Sequence, residues 1–141
     1  MNEGIAISSG ELTATISPLG AELVSLKDAA GREYMSEGDP RWWRGRAPVL
    51  FPIVGALNGD RYRLDGQEYA LAKHGFARKS LFVCEEHEPY EWARFALLDD
   101  AATRESFPFA FRLELFHRIW GATLTTTATV TNRDSRPMPF S

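Results

Sequence analysis

The stretch Arg61-Tyr62-Arg63-Leu64-Asp65-Gly66-Gln67-Glu68-Tyr69 sets the reading of the whole sequence. Asp65-Gly66 is a favoured two-residue hairpin turn, because both central positions demand a positive φ that Asp tolerates and Gly adopts freely. Counting outward from that turn sets Arg63 opposite Glu68 and Tyr62 opposite Tyr69, an ion pair and an aromatic pair of the kind that stabilises neighbouring strands. A register slipped by one residue would lose both pairs.

The same period of two continues outward. Phe111, Leu113, Leu115 and His117 alternate with Arg112, Glu114, Phe116 and Arg118, and after a turn near Gly121 the run Leu124 to Thr131 alternates again, predicting a second hairpin. Further strands are expected at Leu12 to Ser17, Leu23 to Asp28, Leu81 to Glu86 and Trp92 to Leu98, between turn clusters at Ser17 to Gly20, Asp28 to Arg32 and His87-Glu88-Pro89. No stretch holds a 3.6-residue apolar stripe long enough to predict a helix. Short strands at this spacing predict an all-β, antiparallel sandwich in a single domain over residues 1–141. The segment from Glu37 to Asp60, interrupted by Pro40, Pro48 and Pro52 and turned by Asn58-Gly59, reads as a long loop, and long loops in compact domains are often functional.

Composition narrows the function classes. The 141 residues carry 16 Lys+Arg against 19 Asp+Glu, a net charge of −3, which argues against the basic footprint that nucleic-acid binding needs. The apolar run from Ala47 to Leu57 is broken by two prolines and a glycine and is too short to span a membrane. The start Met1-Asn2-Glu3-Gly4 lacks the basic and apolar regions of a secretory signal, so the expected location is cytoplasmic. The single Cys84 cannot form an internal disulfide, and its apolar flanks suggest packing. Three histidines and one cysteine show no metal-ligand spacing, so no metal is expected, and there is neither a Gly-x-Ser-x-Gly elbow nor a phosphate loop.

Two segments are suited to chemistry. In Lys73-His74-Gly75-Phe76-Ala77-Arg78 the histidine titrates near neutrality, the glycine permits close backbone approach, and the arginine four residues on can reach the same site. His117, in phase with buried positions, is expected to face inward and bond a neighbour, and His87 to be solvated in a polar turn. Arg41-Trp42-Trp43-Arg44-Gly45-Arg46 alternates cations with indoles, suiting a stacked sugar ring or an aromatic cover over one sheet.

Ile16-Ser17-Pro18-Leu19-Gly20-Ala21-Glu22-Leu23, then Pro48-Val49-Leu50-Phe51-Pro52-Ile53-Val54-Gly55, then His74-Gly75-Phe76-Ala77-Arg78, together resemble the aldose 1-epimerase (galactose mutarotase) family, most closely its bacterial aldose 1-epimerase-like branch. Phe107-Pro108-Phe109, Val130-Thr131-Asn132 and Met138-Pro139-Phe140-Ser141 follow in the family's order. The resemblance implies a large antiparallel β-sandwich of which this chain holds the amino-terminal part. It also implies a cofactor-free reaction: a base takes the proton of the anomeric hydroxyl, an acid protonates the ring oxygen, and the aldehyde recloses on its other face. His74 matches the catalytic-site histidine near the ring oxygen. The family's second histidine and its glutamate base would lie beyond Ser141. Ala56 stands where many relatives carry a sugar-binding arginine, which leaves Arg78 and Asn58 as candidates for that contact and Trp43 as a third substrate-binding candidate. His117 stands where relatives often carry a tyrosine, in keeping with a structural role.

The expected partner is accordingly a monosaccharide or, through Arg41, Arg44, Arg46 and Arg78, a sugar phosphate, with no nucleic acid and no membrane. A non-catalytic carbohydrate-binding sandwich is the alternative. An unfinished sheet is expected to favour self-association.

Overall fold

The computed structural model describes residues 3–141. Among them, in chain order, are β1 (Ile5–Ser8), β2 (Leu12–Ser17), β3 (Glu22–Asp28), β4 (Arg61–Leu64), β5 (Gln67–Ala70), β6 (Val83–Glu88), β7 (Trp92–Leu98), the helix α1 (Ala101–Ser106), β8 (Phe111–Trp120) and β9 (Thr123–Asn132). They form three antiparallel sheets, β1-β2-β3, the β4-β5 hairpin and β6-β7-β8-β9. The chain is thus almost entirely antiparallel sheet, as the alternation predicts.

In the β4-β5 hairpin Tyr62 pairs with Tyr69 and Arg63 with Glu68, and both turn residues have positive φ, Asp65 at 50° and Gly66 at 78°. The tyrosine rings stack with centroids 5.4 Å apart. The expected Arg63–Glu68 ion pair is corrected. Arg61 reaches Glu68 on the diagonal at 3.4 Å, whereas Arg63 bends back to donate to the Gly66 carbonyl. Diagonal neighbours on one face lie within reach of long side chains, and both Arg61 and Glu68 are exposed, so this pair contributes little.

The two larger sheets close on one another through their alternating inner faces. Ile7, Ala14 and Ile16 from the first meet Phe95, Leu97, Phe111, Leu113, Leu115 and Ile119 from the second, all buried. Phe51, Phe76, Phe107 and Phe111 contribute a cluster of aromatic rings with centroids 5.2–6.4 Å apart. The segment from Glu37 to Leu57 contains no strand, as its prolines require, yet Phe51 within it is anchored in that cluster.

Three elements depart from the expectation. β1, four residues long and without a hairpin signal of the Asp-Gly kind to mark it, has no counterpart among the expected strands. β6 runs two residues later than the pattern suggests, with Leu81 held instead in a bridge to Leu19. His87 therefore sits on a strand and not in a turn, its Nε2 2.8 Å from the Ala6 carbonyl oxygen. The helix α1 is short enough to escape a periodicity test. It forms because Asp100 accepts from the Thr103 N–H at 2.8 Å while the Thr103 hydroxyl accepts from the Asp100 N–H at 2.9 Å, a reciprocal cap.

His117 faces inward as expected, 2% exposed, its Nδ1 2.9 Å from the Thr126 hydroxyl and its ring edge-on to Phe95. Its Nε2 makes no hydrogen bond of acceptable geometry. Burial pushes its pKa down to about 4, and the Ala21 backbone, the one group favouring the charged form, is outweighed. The unfolded chain protonates this ring near 6.5 and the folded chain only near 4, so the contribution of His117 to stability is complete above 6.5 and is lost as pH falls toward 4. That interval corresponds to about 3 kcal/mol. Urea unfolding at a series of pH values should show the decline, and His117→Phe should flatten it between those limits. An unchanged slope in the variant would assign the acid lability to other groups.

Candidate functional site

The loop joining β5 to β6 is shaped by two consecutive left-handed residues, His74 at φ 66° and Gly75 at φ 69°. The Gly75 N–H donates to the Ala72 carbonyl at 2.8 Å, closing a four-residue turn in which His74 holds the third position, one that favours glycine or asparagine. A histidine in that conformation costs about 1–2 kcal/mol locally. Its surroundings hold it there. The His74 N–H donates to the Gly55 carbonyl at 2.9 Å, and the Gly55 N–H donates to His74 Nδ1 at 2.8 Å. Gly55 itself has φ 87°.

This reciprocal pair has an electrostatic consequence. A backbone N–H can only donate, so Nδ1 must accept, and the neutral imidazole therefore carries its proton on Nε2. Protonating Nδ1 would set two donors against each other. Partial burial lowers the His74 pKa from the ordinary histidine value, with Arg78 and then Lys73 adding repulsion, which favours the neutral ring. The arrangement presents an Nε2–H hydrogen-bond donor, half-buried and fixed by backbone, that can hold and polarise an oxygen atom.

Gly75 makes this possible at close quarters. The Phe51 carbonyl accepts from the N–H groups of both Phe76 and Ala77, at 3.0 and 3.2 Å. A Cβ on Gly75 would lie 2.2 Å from that same oxygen. Beyond the loop, the Ser141 N–H donates to the Pro52 carbonyl at 3.0 Å and the Val54 N–H to the Ser141 hydroxyl at 3.2 Å. Ile53, Leu57, Tyr62, Phe107 and Phe140 help line an apolar cavity of about 330 Å³ against this segment.

The other candidates lie at varying distance along the chain from this pair. Arg78 shares the loop, in a short 3-10 turn (Ala77–Lys79). Its Nη2 donates to the Lys73 carbonyl at 3.3 Å, and its buried Nε is without a partner. Asn58 opens the 3-10 turn ahead of β4 and is exposed. Trp43 belongs to the loop from Ser36 to Ala47, lining a separate concavity with Trp42. Among the described residues no hydrogen bond joins Asn58 or Trp43 to His74. The Gly55 partnership was missed by residue-by-residue reading. Its only signal was that a glycine ends the Phe51 to Gly55 run.

Cys84 is half-buried against the core and its thiol is pushed up by burial, a packed and unreactive state. Among the described residues there is no cluster of three or more His, Cys, Asp or Glu able to hold a metal ion, and no helix is long and apolar enough to cross a membrane.

Comparison with known proteins places these features in a family. The chain is 32% identical over 142 residues to the chromosomal and plasmid forms of protein LacX from Lactococcus lactis subsp. lactis, covering 96% of this chain and 47% of theirs. It spans about half the length of the curated relatives it matches. A galactose mutarotase related enzyme from Lactobacillus acidophilus superimposes with a TM-score of 0.94 at 36% identity, over 97% of this chain and 46% of that one. A galactose mutarotase-like protein from Lactobacillus casei gives 0.92 at 37%, over 97% and 47%. Its antiparallel sandwich is that of these proteins, and with the aldose 1-epimerase family model matching residues 3–141, the chain belongs to the aldose 1-epimerase family.

Proposed function

We propose that this chain provides the ring-oxygen side of a cofactor-independent mutarotase that interconverts the α and β anomers of an aldose. The observation that carries the reading is the 2.8 Å bond from the Gly55 N–H to His74 Nδ1, which leaves Nε2–H as a fixed donor. In ring opening a base removes the anomeric hydroxyl proton, that O–H pair becomes the C=O bond, the bond from C1 to the ring oxygen breaks, and the ring oxygen gains a proton. A neutral imidazole is too weak an acid to give up its Nε2 proton outright. His74 therefore holds and polarises the ring oxygen, lowering the barrier as charge develops there. The proton is delivered and removed by the second histidine and the glutamate of the family's pattern, which its resemblance assigns to positions following Ser141.

In this reading Arg78, on the same loop with its Nε unpartnered, remains a candidate to bond a sugar hydroxyl, and after burial its charge is the second influence disfavouring a protonated His74. Asn58 is the other candidate to bond a sugar hydroxyl, from the exposed turn near the Phe51 to Leu57 segment.

Polarimetry on freshly dissolved α-D-glucose and α-D-galactose tests the proposal, using the product of the native gene. An optical rotation that decays faster than in buffer, in proportion to protein added, is the expected result. A decay no faster than buffer at high protein concentration with both sugars would overturn it. Saturable sugar binding without acceleration would instead identify a non-catalytic carbohydrate-binding sandwich.

A further inference from the structure

Trp42 and Trp43 are 84% and 55% exposed, an arrangement that forgoes the roughly 2–3 kcal/mol a large side chain gains from burial. The loop that carries them is nonetheless tied down at several points. Both indole-bearing residues donate their backbone N–H to the Asp39 carbonyl, at 3.0 and 2.9 Å. The Arg46 guanidinium donates to the carbonyls of Ser36 and Glu37 at 3.0 and 2.8 Å, and the Glu22 carboxylate on β3 accepts from the N–H groups of Arg46 and Ala47 at 2.6 and 3.0 Å. The Trp43 indole lies against Gly45 so closely that a Cβ there would sit 2.5 Å from its ring. One side of the indole is thereby supported by backbone while the residue keeps more than half its surface open. With Ser36, Glu37, Gly38 and Asp39 the two tryptophans bound a concavity of about 320 Å³.

We propose that Trp42 and Trp43 form a stacking platform for the ring of a neutral pyranose, a carbohydrate site separate from His74. The C–H face of a pyranose complements an indole, and its hydroxyls find acceptors in the rim carboxylates. The rim also selects against anions. Arg41 donates to Asp39 through contacts of 2.9 and 2.6 Å, and these hydrogen bonds, with one from the Arg41 backbone N–H, lower the Asp39 pKa and favour its ionised form. Arg46 is committed to backbone carbonyls. Two of the three arginines in this segment are thus occupied internally, and a phosphate placed here would meet Glu37 and Asp39. The platform favours the free sugar over the sugar phosphate.

Methyl α-D-glucopyranoside and methyl α-D-galactopyranoside cannot open their rings, so their binding is independent of mutarotation. Calorimetric titration should show saturable binding of at least one glycoside by the wild-type chain. Trp43→Ala should weaken it by about tenfold or more. Gly45→Ala, which is not at positive φ and displaces only the indole, should also weaken it while circular dichroism stays unchanged. His74→Ala should retain the component of binding that Trp43→Ala removes, whatever is lost at the His74 loop itself, and inorganic phosphate should not compete with that component. Absence of saturable binding with both glycosides, or binding indifferent to Trp43→Ala and Gly45→Ala, would overturn the platform. Loss in His74→Ala of the same component that Trp43→Ala removes would overturn its separateness, and competition by phosphate its neutral selectivity. Failure of polarimetry alone leaves these outcomes unchanged, because no ring opening is involved.

Discussion

Replacing Gly75 with alanine should lower the unfolding free energy by about 3 kcal/mol, combining the strain of an L-residue at positive φ with an overpacked contact. The added methyl would meet the Phe51 carbonyl oxygen at 2.2 Å, the Phe51 carbonyl carbon at 2.6 Å and the Pro52 ring at 2.7 Å. None of these is the loose end of a side chain. The loop must therefore separate from the Phe51 segment, with loss of the Phe76 and Ala77 bonds to that carbonyl. Gly59, at φ 64°, provides the control, since nothing lies within 4 Å of a Cβ built there. Gly59→Ala should cost about 1 kcal/mol, the conformational part alone. Urea midpoints of the two variants measure the difference, and equal losses would remove the close approach at Gly75 from the account.

His74→Ala in the active native gene product should reduce the protein-dependent mutarotation rate by about 100-fold, the usual loss when one fixed donor is withdrawn from a developing oxyanion. The variant should remain folded, because the alanine relieves none of the core contacts and takes on similar left-handed strain. Activity of the wild type should also fall on acidification below the ordinary histidine range, since protonation of Nδ1 opposes the Gly55 N–H. Burial and the two neighbouring cations set that limb below 6.5. A variant with wild-type rates would mean that His74 does not touch the reacting sugar.

What could be read from the sequence was local. The Asp65-Gly66 hairpin and its tyrosine pair follow from turn chemistry and a period of two, which need no information from elsewhere in the chain. Arg61 displaced Arg63 at Glu68 because a long side chain reaches diagonally, a freedom that register alone does not describe. The helix α1 has too few residues for an apolar stripe, and its reciprocal Asp100–Thr103 cap is a finding of the structure. At the candidate site His74 stood out by type and motif, whereas its tautomer depends on Gly55, 19 residues away, and on a parallel bridge that brings Phe51 beside Gly75. The tryptophan pair was visible as a pattern. Its exposure was not, because that results from backbone ties to Glu22 and Asp39.

The role proposed for His74 depends on the loop from Phe51 to Gly55 fixing the ring as an Nε2–H donor. Long-range proton–nitrogen correlation spectra of the 141-residue chain at neutral pH, assigned by comparison with His74→Ala, test it most directly. The expected result is a protonated Nε2 and an unprotonated Nδ1. A ring protonated at Nδ1, or at both nitrogens, would contradict the bond to Gly55 and the role derived from it.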